Sequence, residues 1–353
     1  MKLTKKKIAV TLFFIATFSI LIFGFKYLDL DKKSKTTSPQ SKSGYFLGTY
    51  INIKIYDNPS DEVFNNVFDI LKDIENKMSI NISNSEVSRI NQNSGQVAVK
   101  VSPETFEVIK KGKYYSDLSK GNFDISIGPL VELWGIGSNH ARVPSSAEIE
   151  DAKNKINYND ILLDEDNSTV KLKNKNMIID LGGIAKGYSA DKIVEYLKSK
   201  GIKTAIIDLG GNIYALGKSP TKDAWSIGIQ NPIESRGEHL GVLNINNKSV
   251  VTSGVYERFL EKDGKKYHHI LNPFTGYPVE NQLVSTTIVS DKSIDGDALS
   301  TTLFTLGVKD GLKFIESIED VDAILVNSNK EVYITSGLKD KFKVTNNEYK
   351  IVN

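Results

Sequence analysis

The sequence predicts an α+β protein with mixed sheets and packed helices, preceded by one N-terminal transmembrane helix. Three observations predict this class. Short stretches rich in β-branched residues recur along the chain, apolar residues show helical spacing in several other stretches, and the first 28 residues differ in composition from the rest. With 353 residues, 40% of them hydrophobic, the chain is long enough to bury an extensive core, in one large domain or two smaller ones.

The N-terminus combines positive charge with an apolar run. Four lysines within residues 2–7 precede a mostly apolar run over residues 8–25, which is 18 residues long. Such a helix is just long enough to cross the bilayer core of about 30 Å, and basic residues before it stay in the cytoplasm. A cleaved signal peptide is the alternative. Because residues 26–29 offer no small-residue cleavage site, the sequence favours an uncleaved anchor over residues 1–28, with the rest of the chain outside the cell membrane.

Residues 29–43 are rich in Lys, Ser, Thr and Asp and are predicted to be a flexible linker, so that the folded domain covers residues 44–353. Residues 1–43 hold nine lysines and two aspartates, and the remaining 310 residues therefore carry 2 − 7 = −5. This mildly acidic domain gives no reason to expect nucleic-acid binding. The absence of cysteine excludes disulfides, thiolate metal sites, a cysteine nucleophile and a lipoprotein anchor.

Strands and helices are predicted throughout the domain. A strand is expected over residues 45–56, a helix over 61–78, a polar loop over 79–95 and a second helix over 103–118. In the middle of the domain we expect a glycine-punctuated turn over 121–137, a helix near 146–155, short strands around 161–163 and 169–172, and a helix ending near 200. Several strands follow between 203 and 259, with a hairpin turn at 263–264 and a strand over 284–289. The last part is predicted to contain helices over 295–306 and 308–315 and strands near 323–326, 332–335 and 349–352.

Two of the four histidines, His268 and His269, stand side by side before a turn rich in Pro and Gly. Histidine is the side chain whose unperturbed pKa, about 6.5, lies near neutral pH, so a histidine held before a rigid turn is a candidate acid–base group. On this stretch alone, a merely packed or solvated histidine is an equal alternative.

A second stretch runs from an apolar strand into a glycine pair, Lys186 and a helix. Exposed amides, a helix N-terminus and a lysine together suit an anionic group such as phosphate. The spacing is neither that of a P-loop nor that of a Rossmann fingerprint. A tight connection with no ligand therefore stays open.

Asp297 and Thr301 are four residues apart in a predicted helix and so share one face. A carboxylate and a hydroxyl so placed suit a hard cation such as Mg²⁺, which prefers oxygen ligands and keeps waters for substrate phosphates. Asp297 on its own fits equally well as a helix N-cap.

Together these stretches resemble the ApbE-type FAD:protein FMN transferases, from about residue 45 to residue 332. The order of many short motifs makes the resemblance specific. The strongest matches are Asp180-Leu181-Gly182-Gly183-Ile184-Ala185-Lys186-Gly187-Tyr188, Thr252-Ser253-Gly254, His269-Ile270 with Pro273 and Thr275-Gly276-Tyr277-Pro278, and Asp297-Ala298-Leu299-Ser300-Thr301; weaker ones are Met78-Ser79, Phe123-Asp124, Gly128-Pro129-Leu130 and Trp134-Gly135.

The resemblance implies a two-lobed α+β architecture and an enzyme that uses Mg²⁺. Such enzymes cleave the pyrophosphate of FAD, attach FMN through its phosphate to a threonine of an acceptor protein, and release AMP. The acceptors are typically outward-facing subunits of membrane redox complexes or extracytoplasmic flavoproteins. No acceptor motif of the Asp-x-x-Ser/Thr-Gly-Ala-Thr kind occurs in this chain, so a partner protein must supply the threonine.

The resemblance also assigns roles to residues. His269 is the general base, and His268 is disfavoured because the family motif places its histidine directly before the isoleucine. Lys186 lies near a flavin or phosphate group, and Glu257 matches a position that contacts the nucleotide. The metal ligands are Asp297, Thr301 and the backbone carbonyl near Ala185, and the flavin-binding set is Met78, Asn81, Asp180, Lys186, Thr252, Ser253, Gly254 and Glu257.

Asn81 departs from the family pattern, because many members carry an aromatic residue there that stacks on the flavin. Its loss favours water as the attacking group, so the alternative is a Mg²⁺-dependent FAD pyrophosphatase that yields FMN and AMP. A non-catalytic flavin-binding protein or an assembly factor on a membrane tether are further alternatives. His269 and Asp297 disfavour the first, since a carrier needs neither base nor metal, and the glycine–lysine turn disfavours the second.

Overall fold

The computed structural model describes residues 38–235 and 237–353. The predicted anchor over residues 1–28 and most of the predicted linker fall outside these residues. Within them, no helix is both long and apolar enough to span a membrane.

Helices within the described residues include all the long ones predicted. In chain order they are α1 Asp61–Met78, α2 Glu86–Gln92, α3 Pro103–Leu118, α4 Gly128–Trp134, α5 Ser146–Lys153, α6 Ala185–Ser199 and α7 Ser293–Ile315. α1 begins as predicted because the Ser60 hydroxyl accepts the Val63 N–H at 3.2 Å. The loop prediction for residues 79–95 is wrong in part, since it contains α2, and α4 was likewise unpredicted. Both are two turns long, too short for a clear apolar period.

The strands form four sheets. In chain order they are β1 Gln40–Phe46, β2 Thr49–Ile55, β3 Val99–Lys100, β4 Ile161–Asp164, β5 Thr169–Leu172, β6 Ala205–Asp208, β7 Asn212–Leu216, β8 Trp225–Gln230, β9 His239–Ile245, β10 Lys248–Gly254, β11 Phe259–Lys262, β12 Lys265–His268, β13 Leu283–Ser290, β14 Asp322–Asn327, β15 Glu331–Ile334, β16 Phe342–Val344 and β17 Lys350–Ile351. The main sheet has nine strands in the order β1-β2-β6-β7-β10-β13-β14-β15-β17, antiparallel except for the parallel pair β15–β17. The others are β16-β9-β8, β3-β5-β4 and the ribbon β11-β12.

The single strand predicted over residues 45–56 is wrong. The chain reverses at Leu47 and Gly48, which both have positive φ (52° and 69°), and forms the hairpin of β1 and β2. Leucine rarely adopts this backbone conformation, so Gly48 alone is a weak signal of the turn. β1 also starts at Gln40, inside the segment predicted as linker, because its seven residues pair with β2.

The main sheet lies between two layers. Helices α1, α6 and α7 pack on one face, and the three-stranded sheet β16-β9-β8 packs on the other through apolar residues such as Trp225, Leu243, Val250 and Ile324. Residues 39–353 form one compact unit. The continuous nine-stranded sheet runs through this unit, with helices on one face and the three-stranded sheet on the other.

Helices α6 and α7 touch at their N-terminal ends. A Cβ atom at Gly187 would overlap the Ser293 carbonyl oxygen, so this contact requires glycine. The Asp191 carboxylate on α6 accepts the N–H groups of Ser293 (2.8 Å) and Ile294 (3.0 Å), the first two residues of α7. The start of α7, where the first turns carry polar residues, is therefore fixed to α6.

Candidate active site

The turn before α6 is organised by side chains that bond to its backbone. Asn91 on α2 binds Ile179 twice, accepting its N–H at 2.8 Å and donating to its C=O at 3.0 Å. The next residue, Asp180, accepts the Gly182 N–H at 2.6 Å. Burial raises the pKa of Asp180, while the Gly182 N–H and the positive charges of Lys186 and Arg258 act in the opposite direction. The turn is therefore held before any ligand binds.

A buried ion pair joins this turn to α7. Lys186 Nζ lies 3.2 Å from Asp297 Oδ1 and 3.2 Å from the Gly182 carbonyl oxygen, while the Gly187 N–H donates to Asp297 Oδ2 at 3.0 Å. The Asp297 side chain is 5% exposed and that of Lys186 is 24% exposed. Both oxygens of this buried carboxylate are therefore bonded, one to the Lys186 ammonium and one to the Gly187 N–H.

The predicted metal ligands lie around this ion pair. Thr301 follows Asp297 by one helical turn, and its Oγ1 lies 3.7 Å from where a Gly183 Cβ would be. Ala185 is the first residue of α6 and its carbonyl accepts the Ser189 hydroxyl at 2.8 Å.

These donors fit Mg²⁺ in chemistry, since carboxylate, hydroxyl and carbonyl are all oxygen ligands. The Lys186 ammonium, held between two oxygens, shows that the position favours a cation. Within the described residues no three His, Cys, Asp or Glu side chains cluster, so a cation here would take further oxygens from substrate or water.

His269 follows β12 directly and is tied to the residue before β11. The Arg258 carbonyl accepts both the His269 backbone N–H (3.1 Å) and its ring Nδ1 (3.2 Å). A carbonyl only accepts, so Nδ1 carries the proton and Nε2 keeps its lone pair. Burial lowers the pKa of His269 to about 4, and the charges of Arg258, His268 and Lys186 act in the same direction. The ring is thus a neutral base at neutral pH.

His268 is held differently from its neighbour. The Ile270 N–H donates to its Nδ1 at 3.3 Å, and its Nε2 lies 2.9 Å from the Val279 carbonyl oxygen. Its ring lies 6.2 Å from that of Phe304, and burial lowers its pKa. Because both nitrogens are bonded to backbone, His268 has no free atom to act on a substrate.

Trp134 supports the loop that follows His269. Its indole N–H donates to the Gly276 carbonyl at 2.9 Å, and its ring lies 5.5 Å from Tyr267 and 6.0 Å from Tyr277. Trp134 is fully buried at the end of α4. The base is therefore connected to the protein core through this aromatic cluster.

The predicted Thr252-Ser253-Gly254 stretch ends β10, beside α7. The Ser253 hydroxyl lies 2.8 Å from that of Ser300, which donates to the Asp297 carbonyl at 2.9 Å. The Thr252 hydroxyl lies 2.8 Å from that of Thr287. Gly254 is buried and Glu257 is exposed, three residues further on. This strand end is thus bonded to the backbone of the carboxylate residue.

The last two predicted residues differ in exposure. Met78 is 3% exposed, because it is the last inward-facing residue of α1 and packs in the main hydrophobic core. Its side chain is therefore part of the core. Asn81 is exposed, and its backbone N–H donates to the Ser79 hydroxyl at 3.2 Å. An amide at this position offers no aromatic face to a flavin.

The structure brings Asp180, Lys186 and Asp297 together through the glycine turn and the ion pair, with Ala185 beside Lys186 on α6 and Thr301 one turn after Asp297 on α7. His269 is held on a different element, directly after β12, by the Arg258 carbonyl. Sequence reasoning missed two residues that hold this arrangement. Asn91 sits in a helix that was predicted as loop. Arg258 acts mainly through its backbone carbonyl, which no side-chain pattern reveals.

These observations define an α+β protein whose candidate site holds an ammonium–carboxylate pair and a neutral imidazole. Comparison with known proteins narrows this class. The model of the ApbE family matches residues 47–325. A FAD:protein FMN transferase from Klebsiella pneumoniae is 38% identical over 88% of this chain and 96% of its own.

Solved structures show the same fold. A flavin transferase ApbE from Vibrio cholerae has a TM-score of 0.78 at 28% identity, covering 86% of this chain and 99% of that one. The ApbE protein of Thermotoga maritima has a TM-score of 0.79 at 31% identity, covering 86% and 98%. The chain belongs to the ApbE family, and its mixed α+β fold is the one expected. Since the curated relatives are named as transferases, this is a family of enzymes.

Proposed function

We propose that the protein transfers the FMN part of FAD to a threonine hydroxyl of another protein and releases AMP, with Mg²⁺ at Asp297, on the outer face of the cell membrane. Two observations carry the proposal: a neutral imidazole whose Nδ1 is bonded to the backbone, and a buried carboxylate bonded to a lysine ammonium. The names of the curated relatives support the same reaction.

The chemistry at His269 follows from its hydrogen bonds. Nε2 takes the proton of the threonine hydroxyl while the threonine oxygen attacks the phosphorus on the FMN side. A bond forms from that oxygen to phosphorus, the bond from phosphorus to the AMP oxygen breaks, and AMP leaves. The bond from Nδ1 to the Arg258 carbonyl keeps the ring oriented and stabilises the imidazolium that forms.

The charge at the other side of the site follows from α6 and α7. Phosphoryl transfer depends mainly on positioning and on neutralising oxygen charge. Lys186 and the amides of the glycine turn would hold phosphate oxygens, and the Asp297 carboxylate, the Thr301 hydroxyl and the Ala185 carbonyl would hold the metal. When bound, Mg²⁺ supplies the charge that stabilises the phosphoryl group in transfer.

The flavin-binding set extends from this centre. We assign flavin binding to Asp180 in the glycine turn, to Thr252, Ser253 and Gly254 at the end of β10, and to the exposed Glu257. The outer-face location is supported by the sequence of residues 1–28, with lysines before an apolar run.

One incubation tests the transferase. The full-length protein is mixed with FAD, MgCl₂ and a small carrier domain ending in a threonine-bearing tail, and the carrier is weighed by mass spectrometry. We expect a mass gain of FMN less one water, together with free AMP. An unchanged carrier with no AMP under any divalent metal would show that the reaction is a different one.

A second candidate function is FAD hydrolysis, and Asn81 favours it. Without an aromatic side chain to stack on the flavin, FAD is held less well and water has freer access to the phosphorus. In the same incubation, free FMN and AMP with an unlabelled carrier would identify a pyrophosphatase. FAD that remains intact but bound would identify a flavin-binding protein without catalysis.

A further inference from the structure

We propose that the free edge of β11 is the docking site for the acceptor protein, which adds an extended segment of its chain as a third strand. This inference rests on the proposed function, since only an enzyme with a protein acceptor needs such a site. β11 pairs with β12 through residues 259–262 and 265–268, and no other strand within the described residues pairs with it.

The hairpin register shows which backbone groups are free. Asp263 and Gly264 form a two-residue turn with φ of 53° and 75°, which fits the I′ type. The pair that closes such a turn exchanges hydrogen bonds, and every second pair does so from there. The bond from the His269 N–H to the Arg258 carbonyl fits this alternation, because Arg258 and His269 form the next hydrogen-bonded pair after Leu260 and Tyr267. The N–H and C=O groups of Phe259 and Glu261 therefore point away from β12.

The free edge leads directly to the base. Arg258 precedes β11, and its carbonyl is in contact with His269 Nδ1, so the imidazole reaches from the β12 side to the backbone of the β11 side. Strands lie about 4.8 Å apart, so an added strand would run about 10 Å from the β12 backbone. An imidazole, one hydrogen bond of about 2.8 Å and a threonine side chain together cover that distance.

The other edge strands lie in other sheets: β1 and β17 end the main sheet, β16 and β8 end the three-stranded sheet, and β3 and β4 end the third sheet. On the β12 side of the ribbon, Val279 is already bonded, since its carbonyl oxygen lies 2.9 Å from His268 Nε2 and its N–H donates to the Ile270 carbonyl at 2.9 Å. The tip of the β1–β2 hairpin limits the site at the end nearest His269, because Arg258 Nη2 donates to the Gly48 carbonyl at 2.8 Å.

The chemistry of the edge suits an extended protein segment. Backbone pairing gives affinity with little demand on sequence, as expected for an enzyme that modifies a side chain displayed on another protein. Phe259 is 41% exposed beside the free groups, with Lys266 Nζ 4.7 Å from its ring centre, and offers an apolar contact to the added strand. A two-stranded ribbon is only marginally stable by itself, so a third strand would also stabilise it.

Replacing Glu261 by proline tests the edge. Glu261→Pro removes an N–H that faces outward and leaves the bonds between β11 and β12 in place, and edge strands tolerate proline. The matched control, Glu261→Ala, changes the same side chain but keeps the N–H. The probe is a carrier domain with a tail containing Asp-Ala-Ala-Ser-Gly-Ala-Thr, incubated with full-length enzyme, FAD and MgCl₂.

We expect Glu261→Pro to lower kcat/KM for the tail by about tenfold and Glu261→Ala to change it by less than about twofold. FAD affinity, followed by flavin fluorescence, should be the same in both variants. Equal labelling by the two variants would overturn the docking site and leave the proposed function intact. No labelling by the wild-type enzyme would refute the proposed function itself, and the docking site with it.

Hydrogen exchange on the wild-type protein gives a second test, which decides the matter if Glu261→Pro fails to fold. Adding the tail should slow exchange of the Phe259 and Glu261 amides by at least about tenfold, while the Leu260 and Lys262 amides, already bonded to β12, change less. The contrary outcome is an edge that does not pair, since short strands with charged residues also occur as edges protected against pairing. In that case the Phe259 and Glu261 amides would exchange at the same rate with and without the tail, and the docking site would be refuted.

Discussion

The two halves of the candidate site are built in opposite ways. Asp297 and Lys186 lie on two long helices that pack against a nine-stranded sheet, and the carboxylate is almost completely buried. His269 instead ends a two-stranded ribbon whose outer edge faces solvent. A site for a pyrophosphate and a metal needs fixed charges away from water, whereas a base that serves a second protein must stand where that protein can reach it. Under the proposed function, the difference separates substrate binding from acceptor recognition.

The largest effect should come from removing the base. His269→Ala should lower transfer by about 10² to 10⁴, the usual contribution of general-base catalysis, while FAD still binds at the helical side. Transfer is measured by labelling of the carrier tail and binding by flavin fluorescence. His268→Gln on the same ribbon is the control, because an amide keeps a donor for the Val279 carbonyl. Full transfer by His269→Ala would show that His269 is not the general base.

The next effect concerns the helical half. Asp297→Asn should lower transfer about 10²-fold, because the neutral amide pairs with neither Lys186 nor a metal. Added MgCl₂ should raise the Tm of the wild-type protein with FAD and leave that of the variant unchanged. Asp295→Asn, two residues earlier on α7 and paired with Lys111 at 3.0 Å, is the matched control. A Tm that still responds to Mg²⁺ in Asp297→Asn would leave this carboxylate as a structural group.

The next prediction concerns the pH dependence of the His269 half. At pH 5.5, kcat/KM should be about tenfold higher than it would be with a histidine of ordinary pKa. A histidine with an ordinary pKa of about 6.5 is roughly nine-tenths protonated at pH 5.5 and would lose most of its activity as a base. Because the pKa of His269 is lowered to about 4, we expect kcat/KM to hold at pH 5.5 and to halve near pH 4. The sign for stability follows: between pH 6.5 and 4 the unfolded chain takes up the proton first, so stability falls as pH falls. An acid limb centred near pH 6.5 would contradict the buried environment of the ring.

The smallest effect should come from a residue outside both halves. Asn81→Tyr adds an aromatic face, and stacking of about 0.5–1.5 kcal/mol would tighten FAD binding about two- to tenfold. FMN released by water should fall relative to transfer, as measured by chromatography of free flavin beside carrier mass. Asn81→Ala, which removes the amide without adding a ring, serves as control. If the tyrosine variant bound FAD no better than the alanine variant, position 81 would lie away from the flavin.

Much of the fold could be predicted because long elements carry strong local signals. The capped helix Asp61–Met78 and the hairpin turn at Asp263 and Gly264 follow from apolar period and turn chemistry. The β1–β2 turn at Leu47 could not, because leucine at positive φ is held there by the surrounding structure. The short α2 and α4 gave too few turns to show a period.

The site was predicted unevenly for a similar reason. His269, Lys186 and Asp297 stand in motifs whose residue types carry the chemistry. The order of these motifs along the chain was enough to select them as candidate site residues. Their partners Asn91 and Arg258 bind backbone atoms far along the chain, and Asn91 is 88 residues from Ile179. Such contacts follow from the way the sheets and helices assemble and leave no local pattern.

The indole of Trp134 has an optical consequence. The chain contains two tryptophans, and the second, Trp225, lies on β8 in a separate hydrophobic cluster. Trp134 bonds to the loop after His269 and packs on Tyr267, next to the ribbon. With Trp225 replaced by phenylalanine, the remaining tryptophan emission comes from Trp134, which is bonded to the loop after His269, and a yellow ligand bound nearby would absorb that emission. The protein thus carries its own optical sensor for the arrival of flavin and for movement of the ribbon.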